Sequence, residues 1–455
     1  MFFEDTIFAP ASPAGGAISV IRISGAGALA LLRMFFIPKI ADKEGNFEHR
    51  RMLFGGFFSP EGELIDTCSA VYYKAPASYT GEDSAEVFLH GSPAVMNSAL
   101  ALLKRGGARL AEAGEFTKRA FLNGKIELSG AEAVMDVINS DAELSRKAAV
   151  FQLEGGLGRH IDGIYDDITA ALAHISAVID YPDEMGDDAL SEARLVSSLG
   201  ETEHRLRGLV KNGLASRVLR DGARVAILGE PNAGKSSLLN ALLLRERAIV
   251  TPLAGTTRDT LEERADIKGI PVIFIDTAGI RATEDTVEML GVERAERELS
   301  SCDLALWLHQ SDLPVTESER DIYAALKAKP HLIVFTKRDI FPVTDSAAAE
   351  FYAGSSSVKV SSKTGDGLDE LRDKAAELLH PSGEQPIVTN SRHISALSGA
   401  ADAIKSAVSA INAGLGLDCC ATDLAEALRL VGSVNGRSAD EDLINDIFSR
   451  FCVGK

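Results

Sequence analysis

The sequence predicts a multidomain chain of mixed α/β and α class. An N-terminal α+β block leads into an all-α region, and a P-loop α/β module is inserted within that region. Three observations predict it. First, Val225-Ala226-Ile227-Leu228, the loop Gly229-Glu230-Pro231-Asn232-Ala233-Gly234-Lys235-Ser236 and the pattern Leu238-Leu239-Asn240-Ala241-Leu242-Leu243 read as strand, phosphate loop and helix. Second, apolar residues recur at three- and four-residue spacing in 131–154, 159–180 and 188–212, and again beyond the module in 394–412, 422–431 and 440–451. Third, residues 1–120 mix strand-like runs with a helix.

In chain order, 17–25 reads as a buried strand whose single charge is Arg22. Such an arginine needs an anionic partner. A strand at 68–73, a polar turn at 78–83, a strand at 85–90 and a helix at 95–105 follow. The helical stretches beyond the module are too short to bury a core alone, so they are expected to pack on the earlier ones. This gives domains at 1–120, 121–215 (helical), 216–380 (inserted module) and 381–455 (helical, continued). The Ala-, Ser- and Gly-rich segment 341–357 is expected to be a surface excursion.

The module's chemistry is legible in its loops. Gly229 and Gly234 let the backbone curl so that amides around Ala233 and Gly234 meet phosphate oxygens at a helix N-terminus that Ser237 continues. Lys235 reaches the outer phosphates, and Ser236 offers a hydroxyl to Mg2+. Asp276-Thr277-Ala278-Gly279 ends an apolar strand, placing a carboxylate near the metal and an amide near the terminal phosphate. Thr336-Lys337-Arg338-Asp339 ends another, and Ser361-Ser362-Lys363 follows a third. The Asp339 carboxylate can accept both the ring N–H and the exocyclic amine of guanine, so the base is expected to be guanine. The module here resembles the GTPase superfamily, with Thr336 where Asn is usual. Ile280 stands where a water-orienting Gln is usual. Catalytic help is therefore expected from Thr251-Pro252-Leu253-Ala254-Gly255-Thr256-Thr257-Arg258-Asp259, a switch-like segment rich in hard oxygen ligands, and from Glu288.

The 455 residues are 45% hydrophobic, enough for two to four domains with cores. A net charge of −19 argues against a surface that grips nucleic acid by broad phosphate neutralisation. No run reaches the roughly 18 apolar residues of a membrane helix. The signal-like stretch 17–33 is broken by Arg22, Ser24 and two glycines. Cys68, Cys302, Cys419, Cys420 and Cys452 form no metal-ligand spacing, which fits a reducing, cytoplasmic setting.

Across essentially its whole length the chain resembles the MnmE (TrmE) family of tRNA modification GTPases. The resemblance rests on Asp5-Thr6-Ile7, Ile21-Arg22-Ile23-Ser24-Gly25, Tyr79-Thr80-Gly81-Glu82-Asp83, the run Gly114-Glu115-Phe116-Thr117-Lys118-Arg119-Ala120-Phe121-Leu122-Asn123-Gly124-Lys125, Gly255-Thr256-Thr257-Arg258-Asp259 and the closing Phe451-Cys452-Val453-Gly454-Lys455. It implies an N-terminal, dimerising domain that binds a one-carbon tetrahydrofolate, 5,10-methylene- or 5-formyl-, through Arg22, Glu82, Lys125 and Lys455. It also implies a GTPase activated by dimerisation. K+ would be held by Asn232, Thr251, Leu253 and Thr256, Mg2+ by Ser236 and Thr257, and the attacking water by Glu288, with Lys235, Arg258 and Asp259 as further catalytic residues. The family acts with the flavoprotein MnmG (GidA) in a heterotetramer, adding an aminomethyl or carboxymethylaminomethyl group at C5 of the wobble uridine of certain tRNAs. Cys452 has the chemistry of a nucleophile that could activate a uridine. The sequence departs from the family pattern at 13–18, with fewer glycines, and at His90-Gly91-Ser92.

Two other classes compete with this reading. One is a regulatory GTPase switch without folate. The other is a ribosome-assembly GTPase, which would carry a basic RNA-binding domain that the acidic balance disfavours.

Overall fold

The structure, a computed structural model, describes residues 5–39, 47–181, 189–244, 263–275, 299–341, 347–379 and 387–454. The chain divides into two compact units, Met1–Met135 with Gly432–Lys455, and Asp136–Val431. This grouping differs from the four-part reading of the sequence, because the C-terminal stretch belongs with the N-terminal block.

The first unit is built on a seven-stranded sheet. Its strands are β1 (Ile7–Pro10), β2 (Ile18–Ser24), β3 (Phe36–Pro38), β4 (Met52–Phe58), β5 (Leu64–Tyr73), β6 (Ser84–His90) and β7 (Arg109–Leu110), in the order β3-β4-β5-β6-β2-β1-β7. All neighbours are antiparallel except β1 and β7. Helices Ala28–Phe35 and Pro93–Arg105 cover one face, where Leu31, Leu32, Phe35, Met96 and Leu103 meet Ile21, Ile23, Ala85 and Val87. The alternation of strand side chains sends Arg22, Ser24, Ser84 and Glu86 to the opposite face. Helix Glu441–Ser449, capped by the Asp440 carboxylate, packs Ile447 and Phe448 on Phe121, Leu128 and Ala131. Gly454 then lies so close to β1 that an added Cβ would be 2.0 Å from the Pro10 carbonyl.

The second unit carries a six-stranded sheet. Its strands are β8 (Ala223–Gly229), β9 (Glu263–Ile267), β10 (Ile270–Ile275), β11 (Leu304–Gln310), β12 (His331–Thr336) and β13 (Ser357–Lys359), in the order β13-β12-β11-β8-β10-β9. Every pair is parallel except β9 with β10. Parallel strands are covered on both faces, which is why β8, β11 and β12 read as near-continuous apolar runs. Helix Ala189–Ser216 lies along helix Ser391–Asn412, with Arg207 paired to Asp402 at 2.7 Å and Gly213 admitting the Ile394 side chain.

Two expectations are corrected. The stretch 131–154 is not one helix but two, Leu128–Ile138 and Glu143–Leu153. Asn139, Ser140 and Asp141 intervene, and such side chains compete for the backbone: Ser140 Oγ donates to the Val137 carbonyl, and Ala142 is extended. The segment 341–357 is not wholly a surface excursion. Its part 347–351 forms a helix, and Tyr352 beyond it is buried, accepting the Trp307 indole N–H at 3.1 Å.

Candidate functional sites

The phosphate loop follows the C-terminal end of β8, between β10 and β11, where open parallel sheets bind ligands. Gly229 has φ 149°, and a Cβ there would be 2.4 Å from the Leu308 carbonyl, so only glycine fits. Asn232 takes φ 62°, a conformation Asn tolerates, and its carboxamide makes no hydrogen bond to the described residues. Lys235 Nζ donates to the carbonyls of Gly229 (2.6 Å) and Glu230 (2.9 Å), which holds the ammonium over the loop. Lys235 also starts helix Lys235–Leu244, with Ser236 and Ser237 in its first turn.

The base-recognition loop leaves β12 at the same edge of the sheet. The buried Thr336 hydroxyl donates to the Ala233 carbonyl at 2.7 Å and so ties this loop to the phosphate loop. Ser311 Oγ donates to the Thr336 carbonyl at 2.8 Å. Lys337, at φ 59°, donates to Gln310 Oε1. Ser361 Oγ donates to Asp339 Oδ1 at 2.8 Å, fixing the carboxylate that would read guanine. Ser362 and Lys363 continue the turn after β13. The donor and acceptor set fits a phosphorylated purine: amides and an ammonium at one end, an oriented carboxylate at the other.

The first unit holds a second pocket of about 270 Å³, lined by Arg22, Arg50, Tyr73, Ala77, Ser78, Tyr79, Ser84, Glu86 and Lys125. That is just below the usual range for small-molecule sites, about 300–1,000 Å³. Arg22 Nε donates to Glu86 Oε1 at 2.9 Å, and its guanidinium stacks 5.1 Å from the Tyr79 ring centre. The terminal guanidinium nitrogens make no hydrogen bond to the described residues. Lys125 Nζ donates to the Pro76 carbonyl at 3.1 Å. Glu82 is instead engaged beneath, accepting from Ser24 Oγ at 2.8 Å and pairing with the fully buried Arg119 at 3.2 Å. Arg119 also reaches Asp5 and Glu115. Burial would raise the Asp5 and Glu115 pKa values, but the Arg109 and Arg119 guanidiniums hold both below the ordinary carboxylate range.

Known proteins match this sequence over nearly its whole length. A family model described as "MnmE helical domain" matches residues 128–452, and one described as "GTP-binding protein TrmE N-terminus" matches 6–125. The "tRNA modification GTPase MnmE" of Roseiflexus sp. (strain RS-1) is 40% identical over 468 residues, covering 100% of both chains. Its counterpart in Aquifex aeolicus (strain VF5) is 40% identical over 99% of this chain and 100% of its own. That of Chloroflexus aurantiacus is 41% identical, with the same coverage. The chain belongs to the MnmE family.

In this MnmE-family chain, Asn232, Ala233, Gly234, Lys235, Ser236, Ser237, Thr336, Lys337, Asp339, Ser361, Ser362 and Lys363 all lie at one edge of a single sheet, on the loops that leave β8, β12 and β13, on the last residue of β12 and on the first turn of helix Lys235–Leu244. Arg22 and Lys125 line one pocket, and Glu82 does not. Cys452 is exposed, its carbonyl accepting from the Gly114 amide. Thr251, Pro252, Leu253, Ala254, Gly255, Thr256, Thr257, Arg258, Asp259, Asp276, Thr277, Ala278, Gly279, Glu288 and Lys455 lie outside the described residues. Sequence reasoning missed Glu86, the partner of Arg22. The alternation along β6 could have found it, since Glu86 shares a face with Ser84. It also missed Thr316 and Glu319, whose capping-box spacing before 317–326 is readable.

Proposed function

We infer that this chain is a GTP hydrolase that acts in modifying the wobble uridine of tRNA, with the phosphate loop and Asp339 forming the nucleotide site. The observation that carries the nucleotide reading is the Thr336–Ala233 link, which sets a phosphate-binding loop and a guanine-reading loop at one fixed spacing. Family membership carries the tRNA modification.

Mg2+ would be held by Ser236 and Thr257, and K+ by Asn232 with Thr251, Leu253 and Thr256. The exposed Asn232 carboxamide, presented by a positive-φ turn, is a suitable oxygen ligand for a hard cation. The cation would supply the positive charge that stabilises the transferring phosphoryl group. Glu288 would position the water, with Lys235, Arg258 and Asp259 assisting.

The Arg22 pocket would take a one-carbon tetrahydrofolate, 5,10-methylene- or 5-formyl-. An arginine with free donors, a nearby lysine and a tyrosine face suit an anionic tail and a flat heterocycle. Lys455 would contribute from the C-terminal tail, and Glu82 would act by fixing Ser24 and Arg119 beneath the pocket rather than by lining it. Cys452 remains a candidate nucleophile toward the uridine. The protein would work as a homodimer in a heterotetramer with the flavoprotein MnmG (GidA), in the cytoplasm. Among the described residues no helix is long and apolar enough to cross a membrane.

The test is the steady-state GTPase rate in K+ against Na+ at equal ionic strength, with Asn232→Ala and Glu288→Ala alongside. K+ dependence that disappears in Asn232→Ala, with an inactive Glu288→Ala that still binds GTP, supports the reading. Equal rates in the two salts would rule out the cation site.

A further inference from the structure

We propose that His309 is a positioning residue for nucleotide binding. Its ring, through Glu319 and Thr316, holds Glu230 of the phosphate loop, and the proton shared by His309 and Glu319 controls that hold. The inference rests on the phosphate loop being the nucleotide site.

His309 lies on β11 and is 2% exposed. Its Nε2 is 3.0 Å from the Leu313 carbonyl, which can only accept, so Nε2 carries a hydrogen. Its Nδ1 is 2.8 Å from Glu319 Oε1. With Glu319 ionised, both ring nitrogens face acceptors and the ring is an imidazolium. The other Glu319 oxygen accepts the Thr316 amide at 2.9 Å, and the Glu319 amide donates to Thr316 Oγ1 at 3.1 Å. Thr316 Oγ1 in turn donates to Glu230 Oε1 at 2.9 Å. Glu230 is the second residue of the phosphate loop, and its carbonyl receives Lys235 Nζ. The phosphate loop is therefore held from two sides, by Thr316 at Glu230 and by Thr336 at Ala233, and Thr336 Oγ1 also faces the His309 carbonyl at 3.4 Å.

Every element around the ring favours the charged form or is neutral toward it. Glu319 approaches from helix Glu317–Leu326 and Asp312 from the turn after β11. The Phe335 and Tyr352 rings pack edge-on, with Tyr323 beyond Tyr352. Burial alone would lower the His309 pKa, but Glu319, the Leu313 carbonyl and Asp312 outweigh it and hold it above 6.5. Loss of the Nδ1 proton sets a lone pair against a carboxylate at hydrogen-bond distance. The pair then separates, the capping box loosens and Glu230 is released. Nucleotide affinity falls as pH rises through the His309 pKa, and does not fall below it.

The experiment titrates the full-length protein with a fluorescent GDP analogue from pH 7 to pH 9, alongside thermal melting, for wild type, His309→Gln and Glu230→Ala. Wild-type affinity is expected to weaken about fivefold as pH rises through the His309 pKa, the worth of one hydrogen bond. His309→Gln should be weaker at pH 7 and flat with pH. Glu230→Ala should also be flat in affinity while keeping the wild-type pH dependence of its melting temperature, which a merely structural histidine would not produce. A wild-type profile equal to that of His309→Gln, or an unaltered pH-dependent affinity in Glu230→Ala, overturns the proposal. No GDP binding by wild type at any pH would overturn the nucleotide site itself, and this inference with it.

Discussion

The Thr336 hydroxyl donates to the Ala233 carbonyl at 2.7 Å, so a side chain one atom shorter than the usual Asn still ties the base loop to the phosphate loop. The bond is buried, and its acceptor would be left unpaired by an isosteric apolar residue. Thr336→Val should weaken GDP and GTP binding about tenfold, while Thr336→Ser stays close to wild type. Calorimetric titration with both nucleotides checks this, and equal affinity in Thr336→Val would refute it.

Asp339 is held by the Ser361 hydroxyl at 2.8 Å. Asp339→Asn should lose guanine preference by about 100-fold or more, because a site built to accept two N–H groups then presents a donor to one of them. Ser361→Ala should cost about fivefold by freeing the carboxylate. Competition between guanine and xanthine nucleotides measures both.

Among the described residues Arg22 hydrogen-bonds Glu86 alone, through Nε, and its guanidinium stacks on the Tyr79 ring. Arg22→Lys should weaken tetrahydrofolate binding about tenfold and leave GTPase turnover unchanged, because a lysine cannot reproduce a planar, multidentate contact. Folate titration with parallel GTPase assays separates the two. A parallel loss of both activities would place Arg22 in the fold rather than the site.

Glu115 pairs with Arg109 at 2.7 Å and with buried Arg119 at 2.8 Å. Glu115→Ala should destabilise the first unit by about 3 kcal/mol, since it leaves a buried guanidinium undercompensated. The folded-state pKa values of Asp5 and Glu115 are both depressed. Their contribution is therefore present above about pH 4 and is lost as pH falls through the folded values. Chemical denaturation between pH 2 and pH 7 tests the sign, and stability that rises on acidification would contradict it.

Trp307 donates its indole N–H to Tyr352 inside the second unit, and both residues are buried. Tyr352→Phe should cost about 1–3 kcal/mol by leaving that N–H unpaired. A change within 0.5 kcal/mol in the denaturation free energy would show that the bond contributes little.

Most parallel strands of the nucleotide module were legible because they are short apolar runs with a chemically marked loop at the end, as in Val225-Ala226-Ile227-Leu228 before Gly229. β11 carried the same kind of run, Leu304-Ala305-Leu306-Trp307-Leu308, but no marked motif at its end, and it went unassigned. The break at Asn139-Ser140-Asp141 was hidden because apolar residues kept their helical spacing on both sides of it.

The sequence by itself determined the phosphate-loop pattern and the family, and it marked Asp339 as the expected reader of guanine. All of these depend on residues adjacent in the chain, where spacing and chemistry are read directly. Only the tertiary structure decided that Arg22 pairs with Glu86 and Glu82 with Arg119, that Thr336 reaches Ala233, and that the C-terminal tail lies against Pro10. Each of those pairings spans dozens to hundreds of residues. Strand register selects Glu86 for Arg22, and the packing of loops, helix and tail selects the others from many partners of equal charge or hydrogen-bonding capacity.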